Sequence, residues 1–321
     1  MRDRFGPLLC GSDTLFRLWA PDAEAVELCL AGGAVLPMAR AEDGFHTVVA
    51  SGCGPGARYC FRTGGLSFPD PASRRQDGGV DGWSVVSAPL PPPRTTHARR
   101  PWHETVCCEV HVGTATPEGT FAGLMARLEH FRDAGYTAIE LMPVNAFAGS
   151  RGWGYDGTLI FAPEPAYGTP EELRALVDRA HDLGLGVLLD VVYNHFGDVG
   201  NFLSAYAPSW FDQGADTPWG AAVDFTRGAV RAFYCENACM WLAGYDLDGL
   251  RFDAIHEIRT AGRERFLREL AAVCRAVKPD AALIVENAER LARWLDRDAD
   301  GILTVTWDMP GRSMNVFDLA A

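Results

Sequence analysis

The sequence predicts an α/β protein, a TIM-type (β/α)8 barrel incomplete at its C-terminal end and preceded by a small N-terminal β-sandwich. Three observations predict it. Short runs that alternate apolar and polar residues come first, apolar strand patterns alternating with helix patterns follow, and no Gly-rich phosphate loop succeeds the first of those strands. Near-continuous apolar strands separated by helices mark parallel strands buried on both faces. Without a phosphate loop, a barrel of repeated β/α units is preferred to a dinucleotide-binding sheet.

Between Leu15 and Phe61 the runs FRLW, VELCL, FHTVV and RYCFR are separated by Pro, Gly and Asp clusters, the pattern of a sandwich, assigned to residues 1–90. The prolines of SAPLPPPRTTHARRPW, Ser87 to Trp102, favour an extended connector, so residues 91–104 form a linker whose basic patch, Arg94 to Arg100, is read as solvated. The barrel takes 105–321. Its first strand lies in Val106 to Val112, and Phe121, Leu124, Met125, Leu128 and Phe131 form one stripe of a helix that Gly135 ends. A strand over Ala138 to Val144 comes next. Thr169, Pro170 and Glu172 supply the N-cap, first-turn proline and capping-box acid of a second helix, closed by Gly184 before the strand GVLLDVV. A helix around Val230 to Leu242 precedes the strand within GYDLDGLRFDAIHEI, and a helix over Arg263 to Val277 precedes the strands ALIVE and GILTVTW.

The chain carries 29 basic and 42 acidic side chains, a net charge of -13, which works against phosphate-backbone binding and anionic membranes and suits a neutral substrate. No nucleic-acid or membrane partner is expected. The nine cysteines form no CxxC pair and read as buried apolar residues of a reduced, cytoplasmic protein. Cys235 and Cys239 share a helix face, but no His at ligand spacing joins them, so no metal site is expected. The start, MRDRFGPLLCG, has too short an apolar run for a secretory signal, and Asp190 interrupts the longest apolar stretch.

Chemistry in a β/α barrel sits at the carboxyl ends of its strands. Four clusters are placed there: Asp156 in RGWGYDG; Asp190, Asn194 and His195 in DVVYNH; Asp253 in GLRFDAIH; and Glu286 in LIVEN. Arg251 and Asp253 are two apart on a strand and share a face, and a guanidinium beside a carboxylate keeps it ionised, as a nucleophile must be. Glu286 ends the apolar run ALIV, where desolvation favours the protonated form of a general acid. Two carboxyl groups in different environments are the requirement for glycoside hydrolysis. Trp153, Tyr155, Tyr193, Trp210, Phe211 and Trp219 are assigned to the mouth, where aromatic faces pack on sugar rings. His111, His195 and His256 are placed to hydrogen-bond sugar hydroxyls, whereas His46, His130 and His181 read as ordinary surface or helix positions.

DVVYNH, GLRFDAIH and LIVEN resemble, in order, three motifs of the α-amylase superfamily of glycoside hydrolases and transglycosylases. Within it, EVHVGTATPEGTF, RGWGYDG, AYGTPEELRALVDRAHDLGLGVLLDVVYNHFG and DTPWGAAVDF resemble the maltooligosyltrehalose trehalohydrolases, and RLWAPDAEAVEL resembles the sandwich that precedes their barrel. The resemblance implies Asp253 as nucleophile and Glu286 as general acid/base. It implies Arg251 and His195 near the scissile bond, Asp190 as a supporting acid, Tyr155 as a ring that stacks on the sugar and His256 on the aglycone side; Asn194 and Trp153 are counted with them as substrate-binding residues. The implied reaction is hydrolysis of the α-1,4 bond next to the terminal trehalose of maltooligosyltrehalose, without cofactor or metal. The alternatives are a 1,4-α-glucan branching enzyme and an inactive α-glucan-binding remnant. The superfamily's third acid, an Asp following a His on a later strand, has no counterpart, since no histidine follows His256. This implies a barrel truncated after the strand GILTVTW. The oligomeric state is left open.

Overall fold

The computed structural model of the chain describes residues 4–94, 97, 100–288 and, as backbone, 305–307. Ten short strands come first: β1 (Leu8–Cys10), β2 (Asp13–Trp19), β3 (Glu27–Leu30), β4 (Val35–Pro37), β5 (Ala39–Arg40), β6 (Phe45–Ala50), β7 (Arg58–Thr63), β8 (Leu66–Phe68), β9 (Gln76–Asp77) and β10 (Trp83–Val85). They form two antiparallel sheets, ordered β1-β2-β6-β5 and β4-β3-β7-β10-β9, with β8 paired to β7. The runs read as strands in the sequence are β2, β3, β6 and β7. Their alternation puts Phe16, Leu18, Leu28, Tyr59 and Phe61 into one buried cluster, because successive side chains of a strand take opposite faces.

The second part is a sheet of six parallel strands, ordered β11-β12-β15-β18-β19-β20. These are β11 (Cys107–Val110), β12 (Ala138–Leu141), β15 (Gly186–Val191), β18 (Gly249–Phe252), β19 (Ala282–Glu286) and β20 (Val305–Trp307). Between β11 and β12 lie a short turn of helix, α1 (Val112–Ala115), and α2 (Phe121–Asp133). An antiparallel hairpin, β13 (Asn145–Phe147) with β14 (Gly157–Pro163), precedes α3 (Pro170–Asp182). After β15 come α4 (Leu203–Tyr206), the hairpin β16 (Phe211–Thr217) with β17 (Gly220–Val223), and α5 (Gly228–Cys239). The helix α6 (Arg263–Val277) joins β18 to β19.

Local sequence explains the helix ends. The Thr169 hydroxyl accepts from the Glu172 amide while the Glu172 carboxylate accepts from the Thr169 amide at 2.7 Å, the reciprocal cap read from the sequence. Gly135 stands at φ 93°, a left-handed conformation that only glycine adopts freely, and ends α2. The helix expected through Leu242 is α-helical to Cys239 and continues as a π turn over Met240–Gly244.

The structure corrects three expectations. Asp156 is exposed in the turn entering the antiparallel strand β14, not at a parallel strand end. Tyr193, Trp210 and Phe211 are core residues with 3%, 1% and 9% exposure, so they cannot line a mouth; Trp210 packs edge-on against Trp19 and Phe233. His46 is neither on the surface nor on a helix: it is buried on β6, where the Ala20 carbonyl meets its ring at 3.2 Å, whereas His181 does lie on a helix, α3, with its ring buried against the Asp248 carboxylate at 2.8 Å. The later acids Asp296, Asp298, Asp300, Asp308 and Asp318, none of which directly follows a histidine, lie outside the described residues.

Candidate active site

The site is assembled on the middle of the parallel sheet. Register places Asp190 of β15 opposite Arg251 of β18, and Arg251 opposite Ile284 of β19, two residues before Glu286. Parallel register thus brings three strand ends to one spot. Leu250 and Phe252, on the other face of β18, are buried in the apolar core and hold the strand in place. The alternation expected for the Arg251 and Asp253 pair is the one found.

One guanidinium organises the carboxylates. Arg251 Nη1 donates to Asp190 Oδ2 at 2.5 Å and to Asp253 Oδ1 at 2.9 Å, and Nη2 donates to Glu286 Oε2 at 2.9 Å. Burial disfavours the charge on Arg251, but Asp190, Asp253 and Glu286 outweigh it and raise the guanidinium pKa, so it stays cationic. The Ala254 amide also donates to Glu286 Oε2, at 2.9 Å. Ala254 does so from φ 39°, a left-handed backbone at a residue with a Cβ, which costs of order 1–3 kcal/mol. Strain of this kind is held in place by the surrounding contacts.

Each carboxylate has a second support. Asn194 Nδ2 donates to the Asp253 carbonyl at 2.9 Å and to Asp253 Oδ2 at 3.1 Å. Tyr155 Oη donates to Asp190 Oδ2 at 2.8 Å. His195 contacts the Asn194 side-chain oxygen through Nδ1, and its ring stacks on Trp219 with centroids 4.1 Å apart. Burial lowers the His195 pKa and favours the neutral imidazole. Burial raises Glu286, with Asp253 adding to the shift and Arg251 opposing it, so the environment favours a protonated Glu286. Asp190 is pushed up to about 7 by burial, against the pull of Arg251.

Asp190, Asn194, Arg251, Asp253, Glu286 and Tyr155 therefore meet in one hydrogen-bonded group, with His195 attached through Asn194. Trp153 stands apart, 73% exposed. His256 lies beside the segment after β19, its Nδ1 accepting from the Ala288 amide at 3.4 Å. His111 is engaged by the Gly152 carbonyl at 2.8 Å and Tyr167 Oη at 3.0 Å. Sequence reasoning missed Glu140, 1% exposed on β12, whose carboxylate lies near Asp190. A lone acid inside the apolar run AIELM was the available signal.

Two groups of potential metal ligands occur among the described residues, His97 with His181 and Asp248, and Glu109 with Glu140 and Asp190. In the first, Asp248 is already matched by His181 at 2.8 Å and Lys278 at 3.5 Å. The two imidazoles stack within 4° of parallel, so their nitrogen lone pairs run side by side and do not converge. The second group adjoins the site.

Known proteins resemble this chain over most of its length. The alpha amylase catalytic domain family matches residues 72–216. The malto-oligosyltrehalose trehalohydrolase of Deinococcus radiodurans is 42% identical over 90% of this chain and 49% of its own length, and that of Saccharolobus solfataricus is 37% identical over 88% and 51%. A crystal structure of a candidate alpha amylase from Salmonella typhimurium superposes with a TM-score of 0.90 at 40% identity, covering 94% of this chain and 53% of that one. The chain spans about half the length of the curated relatives it matches. The parallel part is of the TIM-barrel type found in these glycoside hydrolases.

Proposed function

We propose that this chain, whose family likeness is to the malto-oligosyltrehalose trehalohydrolases and the alpha-amylase catalytic domain, carries the catalytic pair of a retaining glycoside hydrolase. Its substrate is a maltooligosyltrehalose, and its product is trehalose. The observation that supports this most is the single guanidinium of Arg251 shared by Asp253 and Glu286. Retaining glycosidases need two carboxyl groups about 5–5.5 Å apart, one ionised and one protonated. Two carboxylates on one guanidinium are held at close range, and Glu286, raised by burial, takes the proton.

In this reading Asp253 attacks the anomeric carbon while Glu286 gives its proton to the departing trehalose oxygen, and the α-1,4 bond breaks as the glycosyl–Asp253 ester forms. Glu286, now ionised, takes a proton from water, whose oxygen attacks the anomeric carbon and releases Asp253. Arg251 and Asn194 hold Asp253 in line. Tyr155 holds Asp190, which in turn holds Arg251; Tyr155 offers its ring to the sugar beside His195, whereas Trp153 and His256 serve the outer subsites. We read residues 1–90 as a β-sandwich domain, 91–104 as its linker and 105–321 as the barrel. The nine free cysteines support placing the reaction in the cytoplasm.

The test is product analysis with the purified chain and maltooligosyltrehalose. Trehalose is expected, and Glu286→Gln should lower kcat by roughly 10²–10⁴-fold and remove the loss of activity seen as pH rises through the Glu286 pKa. Asp253→Asn should prevent the covalent glycosyl adduct from forming. New α-1,6 linkages without trehalose would indicate branching and overturn the substrate assignment.

A further inference from the structure

Beneath the Arg251 guanidinium the sheet places more negative charge than one cation balances. Glu109 of β11, Glu140 of β12, Asp190 of β15, Asp253 after β18 and Glu286 of β19 are five carboxyl groups around a single guanidinium, with the Cys107 thiol and the Tyr155 hydroxyl also at hand. Glu140 and Asp190 are each 1% exposed, and each keeps one oxygen, Glu140 Oε2 and Asp190 Oδ1, without a hydrogen-bond partner. Carboxylate oxygens of Glu109, Glu140 and Asp190 lie within 4.8 Å of one another. A buried carboxylate oxygen left unpaired is costly, and carboxylates this close repel as well.

We propose that Glu140 is a positioning residue of this site, its carboxyl group bracing Asp190 from below through a proton held between Glu140 Oε2 and Asp190 Oδ1. A proton there satisfies both orphaned oxygens at once and removes one charge from the cluster. Terminal carboxyl torsions are broad, so a small rotation of Glu140 closes the remaining gap. Burial first, then the charge of Asp190, pushes Glu140 up to about 8, in keeping with a proton retained at neutral pH. The consequence reaches the catalytic pair in steps: Glu140 fixes Asp190, Asp190 fixes Arg251, and Arg251 fixes Asp253 and Glu286. Three carboxylates could instead gather a divalent cation, but such ions take six or more oxygen ligands, and one oxygen of Asp190 is already taken by Arg251 and Tyr155.

The activity arm of the test rests on the glycosidase reading, and the other arms do not. An acid whose pKa is raised by folding binds more protons in the native state, so stability falls as pH rises between the unfolded value near 4.5 and the folded value near 8. In the wild-type chain, denaturant unfolding from pH 5 to 9 should show this fall. Glu140→Gln, which mimics the protonated group, should reduce the proton difference by about one and abolish a carboxylic-acid carbonyl band in the infrared difference spectrum between pH 6 and 9. If trehalose release is measurable, Glu140→Gln should retain kcat within about threefold, and Glu140→Ala should lower kcat by tenfold or more, with KM little changed, through loss of the brace. An unchanged pH slope and infrared band in Glu140→Gln would overturn the proposal. So would calcium or magnesium that stabilises the wild type at pH 9 but not Glu140→Gln, because the carboxylates would then hold a metal. Should Glu140→Gln fail to fold, Asp190→Asn leaves Glu140 its burial but removes the neighbouring charge and the bridge, so the same band should change frequency and titrate at lower pH; a band unchanged in frequency and midpoint would also overturn it.

Discussion

Arg251 is the residue on which the site depends, because it pairs with three carboxylates that are themselves largely withdrawn from water. Removing one partner from a buried ionic group leaves uncompensated charge and costs more than the pair contributes. Arg251→Ala is expected to destabilise the chain by about 3–5 kcal/mol, measured by denaturant unfolding at pH 7. The loss should shrink as pH falls, since protonated Asp190 and Glu286 no longer require a cation. A loss that is the same at pH 5 and pH 8 would mean that the guanidinium is valued for packing alone. At this scale the sequence was informative: the two-residue spacing of Arg251 and Asp253 follows from strand alternation, which is local. It said nothing of Asp190 bonding Arg251, a contact between residues 61 apart.

Elements decide which side chains can meet. β18 sits between β15 and β19, so its side chains reach both neighbours, and its first residue is a glycine for a steric reason. A Cβ at Gly249 would lie 2.3 Å from the Ala282 carbonyl oxygen and 2.8 Å from Leu188 Cδ2, both on the flanking strands. Gly249→Ala should therefore push β18 away from β19 and cost about 1–3 kcal/mol. Because Arg251 lies only two residues on, activity should fall more than stability; comparison of melting temperature with kcat checks this, and intact activity would show that the sheet absorbs the methyl group without moving Arg251. Helix limits were legible because caps are local chemistry, as with Thr169 and Glu172. The β13–β14 hairpin was not, since its strands lack a two-residue turn and its burial comes from packing against other elements.

At the scale of the molecule, the N-terminal sheets and the parallel sheet share one apolar core. Phe68 stacks on Tyr206 at 4.1 Å, Phe5 packs on Phe233 at 5.2 Å, and Glu236 of α5 accepts from the Arg4 and Phe5 amides and from Arg74. A shared core and a buried acid that ties the two parts together predict one cooperative unfolding transition. Tryptophan fluorescence and far-ultraviolet circular dichroism should melt together. Two resolved transitions would mean that the N-terminal sheets fold as an independent unit.

The amino-acid order by itself determined the strand and helix alternation, the capped ends of α3, the pairing of Arg251 with Asp253 and the candidacy of Glu286, because each rests on neighbours within a few residues or on an apolar period. It also yielded a family resemblance that the comparisons support. Only the tertiary structure decided which aromatic side chains are core and which are exposed, because Tyr193 and Trp210 are buried by distant helices and sheets. The same holds for Glu140, a carboxyl group in an apolar strand whose meaning depends on parallel register bringing it against Asp190. Charge clusters assembled across strands are set by register and burial, and neither is written in any single segment.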